Sequence, residues 1–287
     1  MVSVQVVGHG TSQKARRERQ RGVDRALGWF THVESVCTRF DAASELRQLS
    51  TRIGEKTPVS ALLFEAVQFA VAVADASEGA FDPTVGHRME AAGFDREHRS
   101  GNTARSGIEA PDDVSFRDIE LDIDARAITL HRPLTLDLGA VAKGLAIDMA
   151  ARELAPFADF AIDAGGDLFL GGHNVAGDAW SVGIRNPINT TLVLETVRAT
   201  DIAVCTSGAY ERPGHIITRA SNESSDALAS VTVVAPSAMV ADALSTAALA
   251  MGRADGETFL ERHEARALLV TTALACSHTR AWAPAVT

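Results

Sequence analysis

Residues 134–148 read LTLDLGAVAKGLAID, and the class of fold turns on them. Leucines alternate at Leu134, Leu136 and Leu138, which predicts a short strand over 134–138 with Asp137 at its end. A glycine-containing turn follows. Residues 141–154 then predict a helix with Lys143 in its first turn. A strand–turn–helix junction aims free backbone N–H groups and the positive end of a helix dipole at one point, which suits phosphate. Upstream, residues 2–7, 119–123 and 127–130 read as strands, and helices are expected from about 14 to 37 and from Ser60 to about Ser77. Downstream, strands are expected at 158–163, at DLFL between two GG pairs, and at 180–184, 192–198, 202–205 and 231–235. A further helix starts after Pro236–Ser237. Helices and strands do not alternate as βαβ units. The expected class is therefore α+β, with mixed or antiparallel sheets and packed helices. HRSGNTARSG (98–107) and residues 212–228 are expected to be mobile surface loops.

The bulk composition narrows the function. The chain has 287 residues, enough for one large domain or two small ones. Hydrophobic content of 46% with 22% charged residues fits a soluble globular protein. There are 37 acidic and 27 basic side chains, a net charge of −10, which argues against a general nucleic-acid binder. It leaves room for a small anionic ligand held by a metal. Only Lys14, Lys56 and Lys143 are lysines, so the remaining 24 of the 27 basic residues are arginines. Cys37, Cys205 and Cys276 lie far apart with no CxxC pattern, which fits neither a disulfide framework nor a structural zinc site. MVSVQVVGHG has no basic segment leading into an apolar one, and the apolar run 61–76 is interrupted by Glu65, Gln68 and Asp75. No transmembrane segment is expected, and a cytoplasmic location is.

Familiar catalytic signatures are missing. There is no GxSxG, Ala267 stands where an HExxH zinc helix needs its second histidine, and GAVAKG places the lysine before the glycine, unlike a Walker A loop. Four segments remain as candidates. The first is the Lys143 junction. The second is AIDAGGDLFLGG (161–172), whose glycines either let backbone approach a ligand or simply make a tight turn. The third is AVCTSGAYERPGHII (203–217), with two hydroxyls, the single tyrosine of the chain, and His215. The fourth is VTVVAPSAMVADALSTAALAMG (231–252), where Asp242 and Thr246 share a helix face at i and i+4. A carboxylate and a hydroxyl so placed are hard oxygen ligands suited to Mg²⁺. That helix is otherwise mostly apolar and so largely buried, and a buried aspartate needs a partner or a metal.

Taken in order, these segments resemble the FAD:protein FMN transferase family, the ApbE-like flavin transferases. The matching stretches are FDAASELRQLS (40–50), GAFDPTVG (79–86), LDLGAVAKGLAID (136–148), DAGGDLFLGG (163–172), WSVGIRNP (180–187), AVCTSGAYER (203–212) and residues 231–252. The resemblance implies a single T-fold-like domain over 1–287. It implies an enzyme that uses FAD and Mg²⁺, moves FMN onto a Thr or Ser hydroxyl of an acceptor flavoprotein through a phosphoester bond, and releases AMP. It places the metal on Asp242, Thr246 and the backbone carbonyl of Ala140. Lys143 would face the phosphates, and His215 would be the base for the acceptor hydroxyl. FAD would lie along Asp163, Gly165, Gly166 and Asp167 and along Thr206, Ser207 and Gly208, with Phe40 stacking on the flavin. After His215 the text IITRASNESSDA departs from the Asp-Pro and Thr-Gly usual in the family. An FAD pyrophosphatase and a non-catalytic FAD-binding protein remain alternatives.

Overall fold

The computed structural model describes residues 1–8, 10, 12–96, 103–208 and 227–282. Twelve strands and seven α-helices are described. The strands are β1 (Val2–Val6), β2 (Thr57–Pro58), β3 (Ile119–Asp122), β4 (Ala127–Leu130), β5 (Phe160–Ala164), β6 (Asp167–Gly171), β7 (Trp180–Arg185), β8 (Val193–Ala199), β9 (Ile202–Gly208), β10 (Leu228–Ala235), β11 (Arg266–Thr271) and β12 (Cys276–His278). The helices are α1 (Gln13–Cys37), α2 (Glu45–Leu49), α3 (Ala61–Ala76), α4 (Gly86–Ala91), α5 (Gly139–Leu154), α6 (Ala238–Met251) and α7 (Arg253–Arg262).

A seven-stranded antiparallel sheet in the order β1-β5-β6-β9-β10-β11-β12 forms the frame. The interior strand β10 is buried at all eight positions, so both faces must be covered. The period of two sorts the side chains. Val231, Val233, Ala203, Cys205, Ala267 and Leu269 point into the main core beneath α5 and α6. Val234, Val204, Leu268 and Val270 point the other way, into a smaller core closed by the β7–β8 ribbon through Ile184 and Val197. A three-stranded sheet β2-β4-β3 lies apart from the frame.

Serines start four of the helices. Ser12, Ser44, Ser60 and Ser237 each accept a hydrogen bond from an amide in the first turn of α1, α2, α3 and α6. Each such cap stabilises its helix by about 1 kcal/mol. In α3, Leu63, Ala66, Val67, Ala70, Val73 and Ala74 are buried, while of the apolar residues Leu62, Ala66, Phe69 and Val73 that signal the helix in the sequence, Leu62 and Phe69 are only half-buried. No described helix is long and apolar enough to cross a membrane.

One expected strand is absent. Residues 134–138 keep alternate leucines buried, yet they run extended without a sheet, apart from a single bridge between Val85 and Thr135. Their backbone is satisfied by a loop instead: Asp137 N donates to Pro83 O at 2.7 Å and Gly86 N to Thr135 O at 3.1 Å. Alternating leucines report an extended chain and do not say what pairs with it; here Thr135 between them is buried as well. Of the two expected mobile loops, residues 98–102 and 212–226 lie outside the described residues. Next to the first of these, Arg105 pairs with Asp95 at 2.7 Å, and Glu90 binds both Ser106 N and Ser106 Oγ at 2.9 Å.

Candidate active site

The site is assembled where α5, α6 and the ends of β6 and β9 converge. α5 begins just after Asp137, whose Oδ1 accepts from Gly139 N at 2.8 Å. Ala140 and Lys143 follow in the first turns. The β5–β6 hairpin supplies Asp167. Gly165 and Gly166 have φ of +70° and +97°, so they make the two-residue turn of that hairpin, and Asp163 Oδ1 braces it by accepting from Gly166 N at 2.9 Å. That is the tight-turn reading of the glycine pair. No neighbouring atom lies within 4 Å of where their Cβ atoms would stand, so the turn also leaves its outer side open.

Three charges meet behind this turn. Lys143 Nζ pairs with Asp167 Oδ2 and stands 3.8 Å from Asp242 Oδ1. The two aspartates are 1% and 3% exposed, while Lys143 keeps 42% of its side chain in solvent. The Asp242 carboxyl is raised to about 8: burial is the largest cause, Lys143 opposes it, Asp167 adds to the rise, and the Gly144 amide lowers it. For Lys143, burial disfavours the charge, but Asp242 and Asp167 outweigh it and hold the ammonium above the ordinary lysine value. Two carboxylates share one ammonium, and Asp242 Oδ2 is buried with no hydrogen-bond partner.

A hydroxyl layer lies beside these charges. Asp167 Oδ1 accepts from Thr206 N at 3.0 Å, and Thr206 Oγ1 meets Thr232 Oγ1 at 2.8 Å. Ser207 Oγ lies 2.8 Å from Ser245 Oγ and 2.9 Å from Thr246 Oγ1. Lys143, Asp167 and Asp242 are therefore in direct contact, and Thr206, Ser207 and Thr246 join them through hydrogen bonds. Gly208 ends β9 beyond Ser207. Phe40 lies beyond the start of α5, joined to it through Arg39, which pairs with Asp137 at 2.6 Å. His215 lies outside the described residues.

Among the described residues, no group of three or more His, Cys, Asp and Glu side chains could hold a metal ion. A cation site here would use mixed oxygen donors. The orphaned, buried Oδ2 of Asp242 fits that use, with the Thr246 hydroxyl one turn further along the same helix.

Sequence reasoning missed what seats α6. Gly144 of α5 faces the α6 backbone so closely that a Cβ would stand 2.6 Å from both Ala238 O and Met239 N. One turn on, Asp148 accepts from Ser237 Oγ at 2.6 Å, Ala238 N at 2.7 Å and Met239 N at 3.0 Å. It thereby caps α6 from a neighbouring helix. The i, i+4 spacing of Gly144 and Asp148 was the available signal. Asp148→Ala strands three donors, and we expect a loss of about 2 kcal/mol in urea unfolding, with Asn retaining part of it.

Comparison with known proteins agrees with this architecture. The fold is α+β, and its site sets a buried carboxylate, Asp242, beside Lys143. The sequence matches the ApbE family over residues 1–269, and the chain belongs to that family. The FAD:protein FMN transferase of Treponema pallidum is 32% identical over 273 residues, covering 84% of this chain and 74% of that protein. That of Vibrio cholerae is 28% identical over 275 residues, 88% of this chain and 78% of that one. Among solved structures, the flavin transferase ApbE of Vibrio cholerae superposes with a TM-score of 0.80 at 23% identity, covering 98% of this chain and 94% of that one. The ApbE protein of Thermotoga maritima gives 0.79 at 24% identity, covering 97% and 94%.

Proposed function

We propose that the protein is a Mg²⁺-dependent FAD:protein FMN transferase. It moves FMN from FAD onto a Thr or Ser hydroxyl of an acceptor flavoprotein and releases AMP. Membership of the ApbE family and relatives named for this activity support the reading. The single structural observation that carries it is the unpaired, buried Asp242 Oδ2 beside Lys143 at the opening of α5.

The acceptor oxygen forms a new bond to the FMN phosphorus, and the phosphoanhydride bond to AMP breaks. No oxidation accompanies the transfer. Proton removal from the hydroxyl falls to His215, an imidazole suited to that task near neutral pH. Lys143 carries its charge toward the pyrophosphate oxygens, where negative charge grows as AMP departs. Asp242, Thr246 and the Ala140 carbonyl would hold Mg²⁺, which when bound neutralises phosphate charge. The open outer side of the 163–167 turn and the hydroxyls of Thr206 and Ser207 line the path assigned to FAD. Asp167 fixes Lys143 from the opposite side, so its part is to aim the ammonium.

The test is incubation with FAD, Mg²⁺ and a flavoprotein encoded beside this chain, read by intact mass. We expect an FMN-sized increment on the acceptor and one AMP per adduct. AMP released at a useful rate with no acceptor present would make the protein a pyrophosphatase. Tight FAD binding without AMP release would make it a binding protein.

A further inference from the structure

Arg39 is a buried arginine near the opening of α5, and the resemblance gives it no role. Its side chain is 4% exposed. The guanidinium carbon stands 4.2 Å from the centre of the Phe40 ring, so one ring face is covered. Nε donates to Asp137 Oδ2 at 2.6 Å, and Nη2 donates to Phe94 O. The other oxygen of Asp137 holds Gly139 N, the first residue of α5. Nη1 has no hydrogen-bond partner and lies 3.9 Å from Glu90 Oε1, an oxygen that already accepts from Ser106 N.

We propose that Arg39 is a positioning residue that locks the Phe40 ring to the opening turn of α5. The chain of contacts runs Phe40, Arg39, Asp137, Gly139, and it joins the aromatic platform to the helix that carries Lys143. The proposal deepens, and rests on, the flavin reading above. A guanidinium stacks flat on a ring while its edge donates to a carboxylate; an ammonium cannot do both. Burying it away from water is costly, and the two carboxylates and one carbonyl around it offset that cost. With one face of Phe40 held by Arg39, the opposite face is left for the flavin.

The experiment is a double-mutant cycle with Arg39→Lys, Phe40→Ala and the double variant. FAD affinity is read from the flavin absorbance change, and stability from urea unfolding of the same four proteins. Arg39→Lys keeps the charge, which guards against simple loss of the fold. Each single change should weaken FAD binding about tenfold, and the double variant no more than the weaker single. Affinity for AMP, which lacks the flavin, should change less than twofold in Arg39→Lys, a result general unfolding would not give. Additive losses in the cycle, about a hundredfold for the double variant, would overturn the proposal while leaving the flavin reading intact. If the wild-type protein binds AMP but not FAD, the flavin reading fails and the proposal falls with it, whatever the urea cycle shows.

Discussion

Gly144→Ala should destabilise the protein by about 3 kcal/mol and lower its melting midpoint by about 5–10 °C. The added methyl would stand 2.6 Å from Ala238 O and from Met239 N. Both are backbone atoms in the first turn of α6, so no side chain can swing aside. The helices must separate by a few tenths of an ångström at least. Separation stretches the three bonds from Asp148 to Ser237, Ala238 and Met239. It also moves Asp242 and Thr246 away from Lys143, because all of them ride on these two helices. Thermal unfolding should show the fall without ligand, and FAD turnover at 20 °C should fall as well. An unchanged midpoint would mean that α5 and α6 do not meet at Gly144.

Asp242→Asn should remove turnover, about a thousandfold or more, while leaving the metal-free protein as stable as the wild type or more so. The two effects have one cause. In the wild type, the Asp242 carboxyl is buried at 3% exposure with one oxygen unpartnered, and burial, with Asp167 beside it, outweighs Lys143 and raises its pKa to about 8. Asparagine keeps the shape and removes the charge that burial penalises. Lys143 retains Asp167, so no new orphan cation appears. The price falls on function, since a neutral amide is a poor ligand for a hard cation. Melting curves in EDTA and turnover in Mg²⁺ read the two halves separately. Retained Mg²⁺-dependent turnover would take Asp242 out of the site. A large drop in the EDTA melting point would show that its charge is structural.

Local chemistry made much of the fold legible. Ser60 and Ser237 placed the starts of α3 and α6 to within a residue or two. Period-two runs located β4, β7 and β9. The same alternation misled at 134–138, since buried leucines there pack against the core without a strand beside them. Site residues divided in a similar way. Asp242 and Thr246 were legible because one helix turn relates them. Lys143 was legible because it opens a helix in a chain almost without lysine. Asp167 was visible only as a neighbour of two glycines, and its pairing with Lys143 spans two elements far apart in sequence.

The sequence by itself determined the long helices α1, α3, α5 and α6 and most of the strands, the hard-oxygen pair on α6 and the cationic opening of α5. These depend on residues within a few positions of one another, where spacing alone sets which side chains share a face. The tertiary structure alone decided that Gly144 and Asp148 seat α6, that Arg39 joins Phe40 to Asp137, and that Asp167 and Asp242 share one lysine. Those contacts join segments from 24 to 99 residues apart. They exist because antiparallel pairing and helix packing return the chain to one place, and no local period records that return.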